Sequence, residues 1–430
     1  MWSGSGLRGH LAVVSAAVAV LSVLGLGADE AKPAGNDQIT ISLITFGIFQ
    51  PAFQVLIPNF ERVYPNITVN AQYEPTGTAL FQVEPTELAA GNGPDLISLF
   101  PGCGEPVSMC VLGEEHALMP LVRAPWTKRS LPLVVSLSKV GPVLYAFDPG
   151  ISLMGMFTND ALFRRLGLSV PQSFPQLLAV CKKAKADGTV AVLFPGADAA
   201  ELQWLVTDLA LTTVYTRDKH WTAELKSGSV SFGGSAGWQQ ALHEFVQMNE
   251  DGCFEPGVTG YSTGMAAPFA QGQGLMSPDV SSDAGLIAAA NPGFHVSFVP
   301  FPNGNSPTST TSFFNPGTAL GVTAHSSSAN QAAAEAFINF LARPAQDSLY
   351  ARLTGVLTQE QFLKQELPSF MSSFAPLVRN DGYVANPANF WWNPSVLMAL
   401  SQQGEGLLTG QTTTSDVLNA MDAAWKQGPG

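Results

Sequence analysis

Between Glu87 and Phe100 the chain reads Glu-Leu-Ala-Ala-Gly-Asn-Gly-Pro-Asp-Leu-Ile-Ser-Leu-Phe. The opening residues suit the end of a helix, since Gly91 and Gly93 can take positive φ where it stops and Pro94 forbids its continuation. Leu96 to Phe100 is short and apolar enough to lie inside a parallel sheet. A helix feeding a buried strand implies an α/β unit.

The upstream pattern repeats that unit. Ile39, Ile41, Leu43 and Ile44, set among Thr and Ser, predict a strand over 38–46. A helix is expected over 52–63, stopped by Tyr64-Pro65-Asn66, and a second strand over 67–71. A further helical stretch runs over 80–90, with Pro85 as a break or restart within it. Strand, helix, strand, helix, strand describes an α/β fold with crossover helices, whose sites lie at the carboxyl ends of strands. Asp95 is read as a turn or helix-end hydrogen-bonding residue, and a binding role falls to the loop beyond Phe100. Further strands are expected over 141–147 and 152–157. Asn159 is placed to cap a helix that Gly167 ends, and Ser173 to cap the next, with Pro175 in its first turn.

Length and charge limit what this fold can serve. The chain has 430 residues, 46% of them hydrophobic, enough for a large core and two lobes. Charged residues make up 12%, the net charge is −13 and no Lys/Arg cluster is present, so nucleic acid is set aside as a partner. Residues 1–28 read as an export signal: Arg8 gives a weakly basic start, Leu11 to Leu26 is apolar, and Gly25-Leu26-Gly27 offers a small-x-small cleavage pattern. The run is short for a bilayer span, and no Cys near the cleavage pattern supports a lipoprotein anchor, so a periplasmic or cell-surface location is expected. The four cysteines fit an exported protein without making a disulfide scaffold. Cys103 and Cys110 bracket a short loop and could pair, and a second bridge between Cys181 and Cys253 stays open. There is no CxxC, HExxH or acidic Ca²⁺ loop, and Glu114-Glu115-His116 reads as a solvated turn, so neither metal nor cofactor is expected. Asn66-Ile67-Thr68 fits the glycosylation sequon by pattern.

Several segments carry a resemblance. They are Phe60-Glu61-Arg62-Val63-Tyr64-Pro65-Asn66-Ile67-Thr68-Val69, the Gly91-Asn92-Gly93-Pro94-Asp95 turn, the Asn159-Asp160-Ala161-Leu162-Phe163 turn and the Pro171-Gln172-Ser173-Phe174 helix start. In order and spacing they resemble the extracellular solute-binding proteins of sugar-type ABC importers. Phe269 to Met276, Ala332 to Leu341 and Tyr350 to Gly355 are similar to later segments of that family. The resemblance implies a two-lobe periplasmic-binding-protein type II fold with a ligand cleft between lobes, closing by hinge motion around its ligand. It assigns 37–149 and 301–353 to lobe 1, and 150–300 and 354–430 to lobe 2. It also implies a monomer that binds a carbohydrate or polyol and meets the membrane subunits of an ABC importer.

A neutral sugar needs aromatic rings for its C–H faces and Asp, Asn, Glu or Ser groups for its hydroxyls. The resemblance points to Phe46, Glu105, Asp148, Ser152 and Asn315 as ligand contacts, and Trp204, in an apolar, helix-like stretch of the Trp-rich second lobe, is a further candidate. Of Trp391 and Trp392, one is expected in the cleft and the other in the core, because neighbours in an extended loop face opposite ways. Val280-Ser281-Ser282-Asp283 stands where many relatives carry Trp, so Ser281 or Asp283 would hydrogen-bond instead. The bland alternatives are that Phe46 packs in the core, that Glu105 and Asp148 are solvated, and that Asn315 only shapes a turn.

Two rival readings remain. Gly233-Gly234-Ser235-Ala236-Gly237 satisfies the G-x-S-x-G pattern of serine hydrolases, with His243, His295 and His325 later in the chain. However, Val230-Ser231-Phe232 is short for a central strand, and Ser235 is equally an N-cap. The G-x-G-x-x-G match at 4–9 lies in the signal segment with no strand before it. A glycerol-phosphate or peptide ligand would need Arg or Lys in the cleft, and only Arg379 stands near the residues named.

Overall fold

The computed structural model describes residues 38–428 apart from 75, 76 and 106. The export-signal reading of 1–28 and the match at 4–9 lie outside these. In the first half of the described chain the strands of the two main sheets are β1 (Ile39–Phe46), β2 (Ile67–Glu74), β3 (Leu96–Leu99), β4 (Ala146–Phe147), β5 (Ile151–Thr158) and β6 (Val190–Val192). There follow β7 (Gly274–Val280), β8 (Ser297–Val299), β9 (Ser312–Pro316), β10 (Ala319–Val322) and β11 (Tyr383–Ala385). The helices needed below are α1 (Gln50–Val63), α2 (Gly77–Ala89), α3 (Phe174–Ala186), α4 (Ala199–Ala210), α5 (Ala236–Glu250), α6 (Ser328–Leu341) and α7 (Pro344–Thr354).

The first sheet has the order β2-β1-β3-β10-β4. β1 runs parallel to β2 and β3, in a register that sets Ile41 against Val69 and Leu43 against Leu96. The strand–helix–strand pattern forces this arrangement, because parallel neighbours need a crossover that a hairpin cannot supply. α1 follows from its spacing: Ala52, Phe53, Leu56 and Phe60 recur at helical period and are its buried residues. Phe53 and Phe60 pack against Phe337 of α6, and Phe53 against Tyr350 of α7. Each such buried side chain is worth about 1.5–3 kcal/mol.

The turn at 90–95 locks this lobe together. Gly91 takes φ 71, whereas Gly93 needs no positive φ, and α2 runs unbroken through Pro85. Asp95 Oδ2 accepts the Ser42 N–H at 2.8 Å and its hydroxyl at 3.0 Å, and Oδ1 accepts the Asn330 side-chain amide at 3.1 Å. One carboxylate thus ties β1 and α6 to the turn before β3.

The second sheet has the order β11-β9-β5-β7-β6, with β8 also paired to β5. β5 is buried along its whole length, as a central strand covered on both faces must be. The core on one side of this sheet gathers Trp221, Phe232, Trp238, Trp391 and Trp425. Asn159 Oδ1 caps its helix by accepting the Leu162 N–H at 3.0 Å, while Ser173 holds the N-cap position without a side-chain cap bond. Both cysteine pairs form: Cys103–Cys110 closes the loop beyond β3, and Cys181–Cys253 joins α3 to the segment after α5.

The chain passes between the sheets after Phe147, between Pro316 and Ala319, and after Thr354. Backbone bonds bind these passages to one another. Gly317 N–H donates to Gly150 O at 2.8 Å, and Ile151 and Leu357 exchange N–H···O bonds of 2.8 and 2.9 Å. The return to the first sheet begins later than the Phe301 expected from the resemblance. Phe301 and Phe313 belong to the second sheet's core, and β9 pairs with β5 and β11, so the first sheet is rejoined only at Ala319. Two short apolar strands separated by Gly317 and Thr318 look alike in sequence, and only their pairing tells them apart.

Candidate functional site: a cleft between two sheets

The sheet directions decide where a site can be. β1, β2 and β3 end at Phe46, Glu74 and Leu99, and β10, antiparallel to β3, begins on that same side. In the second sheet β6, β7, β9 and β11 all end on the side where β5 starts, since β7 and β9 run antiparallel to β5 while β6 and β11 run parallel to them. The strand ends of both sheets therefore meet at the passages, and the loops beyond them enclose a cleft.

The two sides touch. Cys103 N–H donates to Asn389 O at 3.0 Å. A Cβ built on Gly104 would overlap the Ala388 carbonyl oxygen, and one on Gly102 would overlap that of Asn389, so only glycine allows the backbones this approach. The loop is held in shape from within. Gly102 N–H donates to Leu137 O at 2.9 Å, Cys110 N–H to Gly102 O at 3.0 Å, and the Cys103–Cys110 bridge spans it. On the opposite side the Asn389 side-chain nitrogen is buried without a hydrogen-bond partner.

Aromatic rings gather at the first sheet's strand ends. Phe46, half-buried, meets Phe100 edge-on at 5.7 Å and Phe49 at 6.2 Å, and Phe81 meets Phe100 at 5.9 Å. Glu105 follows in the glycine loop, partly accessible yet deep enough that burial pushes its carboxyl up to about 8. It is not the solvated side chain of the bland alternative.

Acidic groups gather at the second sheet's strand ends. Asp198 caps α4, its Oδ1 accepting the N–H groups of Ala200 and Glu201 at 3.0 and 3.2 Å. Glu201 in the first turn of α4, Asp279 near the end of β7 and Asp283 just beyond it perturb one another. Burial raises all four carboxyls: Asp283 to about 6, Glu201 and Asp279 well above the usual carboxylate range. Their mutual charge adds to the rise on Glu201 and Asp279, and a hydrogen bond from Asp279 opposes it on Asp283. Trp204 lies three residues beyond Glu201 on α4, half-buried, its indole N–H without a partner. Of these groups, sequence reasoning named Trp204, which packs against the second sheet's core, and Asp283, and did not name Asp198, Glu201 and Asp279. Asp198 before Ala-Ala-Glu carries a local N-cap signal, but its meeting with β7 depends on the pairing of β6 with β7.

The other selected residues have structural duties. Ser152 and Asn315 stand opposite one another in the β5–β9 register, and Asn315 Oδ1 accepts the Asn386 amide at 3.3 Å. Ser281 is fully buried and its hydroxyl oxygen accepts the Leu153 N–H at 3.1 Å, so it fastens β5 rather than facing the cleft. Asp148 belongs to the hinge and is not solvated: 3% exposed, it accepts the Gly150 N–H on Oδ1 at 2.9 Å and leaves Oδ2 unpartnered. Burial pushes it up to about 8 against the pull of the Gly150 and Gly317 amides. It lines a recess of about 10 Å³ with Trp126, Arg129, Asp347 and Gln359.

The tryptophan expectation needs correcting. Trp391 is 0% exposed and packs edge-on to Phe232 at 5.6 Å and beside Trp238 at 6.2 Å. Trp392 stacks on Trp425 at 4.3 Å and donates its indole N–H to Trp425 O at 3.2 Å. The short helical turn Pro387–Phe390 precedes them in place of an extended loop, and both rings are drawn to the same core. Ser235, the rival nucleophile, is the N-cap of α5, its oxygen accepting the Trp238 N–H at 3.3 Å. The residues before it form a turn, so the strand that a nucleophile elbow requires is missing.

Two α/β lobes joined by three passages, with a polar and aromatic cleft at their strand ends, define a hinged clamp for a small ligand. The chain belongs to the family described as bacterial extracellular solute-binding protein, which residues 47–348 match. Among solved structures, a sugar transporter from Bacillus licheniformis in complex with stachyose is 18% identical, with 91% of this chain and 100% of that one covered at a TM-score of 0.72. Maltose-bound MalE3 of T. maritima is 19% identical, with 90% and 99% covered at 0.74. The apo form of RafE from Streptococcus pneumoniae is 18% identical, with 93% and 99% covered at 0.67. At these identities the likeness is one of fold. No curated protein sequence matches the chain.

Proposed function

We propose that the protein captures a carbohydrate or polyol outside the cytoplasm and passes it, chemically unchanged, to the membrane subunits of an ABC importer. The observation that supports this reading is the two-lobed fold, with phenylalanine rings gathered at the strand ends of one sheet and buried carboxyls at those of the other. Rings offer faces to sugar C–H groups, and carboxyls accept from hydroxyls when ionised and donate when protonated. Solved relatives hold stachyose and maltose, which supports the same ligand class here. The contacts are Phe46, Glu105 and Trp204 with Asp198, Glu201, Asp279 and Asp283, and Ser152 and Asn315 flank them at the hinge. A phosphate-bearing ligand is disfavoured by the acidic groups. One lobe takes 37–149 and the segment from Ala319 to Thr354, the other takes the rest, and the chain works as an exported monomer.

Thermal-shift screening of the purified chain against a saccharide panel tests this, followed by calorimetry of the best ligand on wild type and Asp283→Asn. A stabilising saccharide whose affinity falls about tenfold in Asp283→Asn, the worth of a charge-assisted hydrogen bond, is the expected result. Turnover of a chromogenic ester that depends on Ser235, with no saccharide stabilising the fold, would overturn it.

A further inference from the structure

The turn that follows α2 holds one of the two Asn-Gly steps in the chain, Asn92-Gly93, and the other is Asn303-Gly304. Asparagine before glycine is chemically fragile, because no side chain on the glycine hinders attack of its backbone nitrogen on the asparagine Cγ. The fold treats the two steps differently. Asn303 is 3% exposed; its Nδ2 donates to Asp208 O, Asp208 Oδ2 and Thr311 O at 2.8, 3.0 and 3.0 Å, and its Oδ1 accepts the Thr311 N–H at 3.2 Å. That amide cannot turn onto the next nitrogen without unmaking buried bonds. Asn92 is exposed, and among the described residues its side chain makes no hydrogen bond. Among those residues Gly93 N–H donates to no group either, so the attacking nitrogen is uncommitted. Upstream the backbone is held, with Gly91 N–H donating to Leu88 O and Asn92 N–H to Glu87 O, both at 3.0 Å.

We propose that Asn92, and not Asn303, is a site of spontaneous deamidation, at which Gly93 N closes a succinimide ring on Asn92 Cγ and water reopens it. The N–Cγ bond forms as the Cγ–Nδ2 bond breaks, and ammonia leaves with the proton from Gly93 N. Water then splits the ring nitrogen from Cγ, which gives aspartate, or from the Asn92 carbonyl carbon, which gives isoaspartate. Either product adds a negative charge just past the carboxyl end of α2, where the helix dipole opposes it. Isoaspartate also lengthens the main chain by one atom, three residues ahead of the Asp95 carboxylate that ties β1 and α6 to this turn. The tie slackens.

Incubation of the full chain at mildly alkaline pH, folded and in urea, followed by peptide mapping, tests this. Asn92 should convert in the folded protein at a rate close to that in urea, whereas folding should slow Asn303 by at least about tenfold. Asn92→Gln should abolish the acidic form that accumulates on ion exchange. The isoaspartyl fraction should melt below Asn92→Asp, which carries the charge without the longer main chain. An Asn92 amide that persists in the folded protein overturns the proposal, as does conversion of Asn303 as fast as Asn92 in the folded state. An isoaspartyl fraction that melts together with Asn92→Asp overturns the slackening of the Asp95 tie.

Discussion

Gly104→Ala adds one methyl group where the two lobes meet. The new Cβ would overlap the Ala388 carbonyl oxygen and lie 2.7 Å from its carbon, and backbone on the far side cannot swing away as a side-chain tip can. Gly104 needs no positive φ, unlike Gly102 at +89°, so the substitution leaves its own loop unstrained. The cost then falls on the contact across the cleft. Adding a methyl to a fixed, packed contact costs about 3 kcal/mol at the upper end of such effects. At 1.4 kcal/mol per decade that is about a 100-fold rise in Kd, expressed as a smaller population of the closed form. Calorimetric titration with the best saccharide should show that loss, while the unliganded melting temperature stays near wild type and small-angle scattering reports a more extended molecule. Wild-type affinity together with wild-type scattering would refute the argument, because closure would then not depend on this approach of backbones.

Three further outcomes are expected. Burial holds Asp148 and Glu105 up at about 8 and Asp347 at about 7, so the folded protein binds these protons more tightly than the unfolded chain. The stability they lend is full below about pH 4 and is lost as pH rises to about 8; calorimetric melting should therefore fall over that range, less steeply in Asp148→Asn, and a rising melting temperature would contradict this. Trp391→Ala should cost about 3–5 kcal/mol in urea unfolding, since the ring is fully buried among Phe232 and Trp238, whereas a loss of ligand affinity with unchanged stability would place it in the cleft after all. Replacing both Cys181 and Cys253 by Ala should cost about 2–5 kcal/mol by the same assay, and an unchanged midpoint would show that the bridge adds nothing.

The first sheet was readable because its signals are local: each strand is a short apolar run, each helix end a proline or glycine, and register follows from burial. Asp95 was assigned to the turn for the same reason, and its bonds to Ser42 and Asn330 bear that out. The second passage was misplaced because β9 and β10 differ only in their partners, which lie more than 150 positions back in the chain. Trp391 and Trp392 went astray for a related cause. The alternation argument holds for extended backbone, but the preceding turn and a cluster built from Phe232, Trp238 and Trp425 decide where those rings go. The acidic groups include residues about 80 positions apart. Asp283 was found through the resemblance; its companions become visible only once β6 is seated beside β7.

Where the loop beyond β3 meets residues 388 and 389, the contact is made of main chain and of missing side chains: Gly102, Cys103 and Gly104 against Ala388 and Asn389. Peptide groups are the same whatever residue a codon specifies, so if the rings and carboxyls hold the cargo as proposed, recognition and this contact between lobes are written in different atoms. On that reading, substitutions among the rings and carboxyls retune what is carried while this contact of backbones stays as it was. The reverse is not true, because any side chain at 104 jams the latch for every cargo alike.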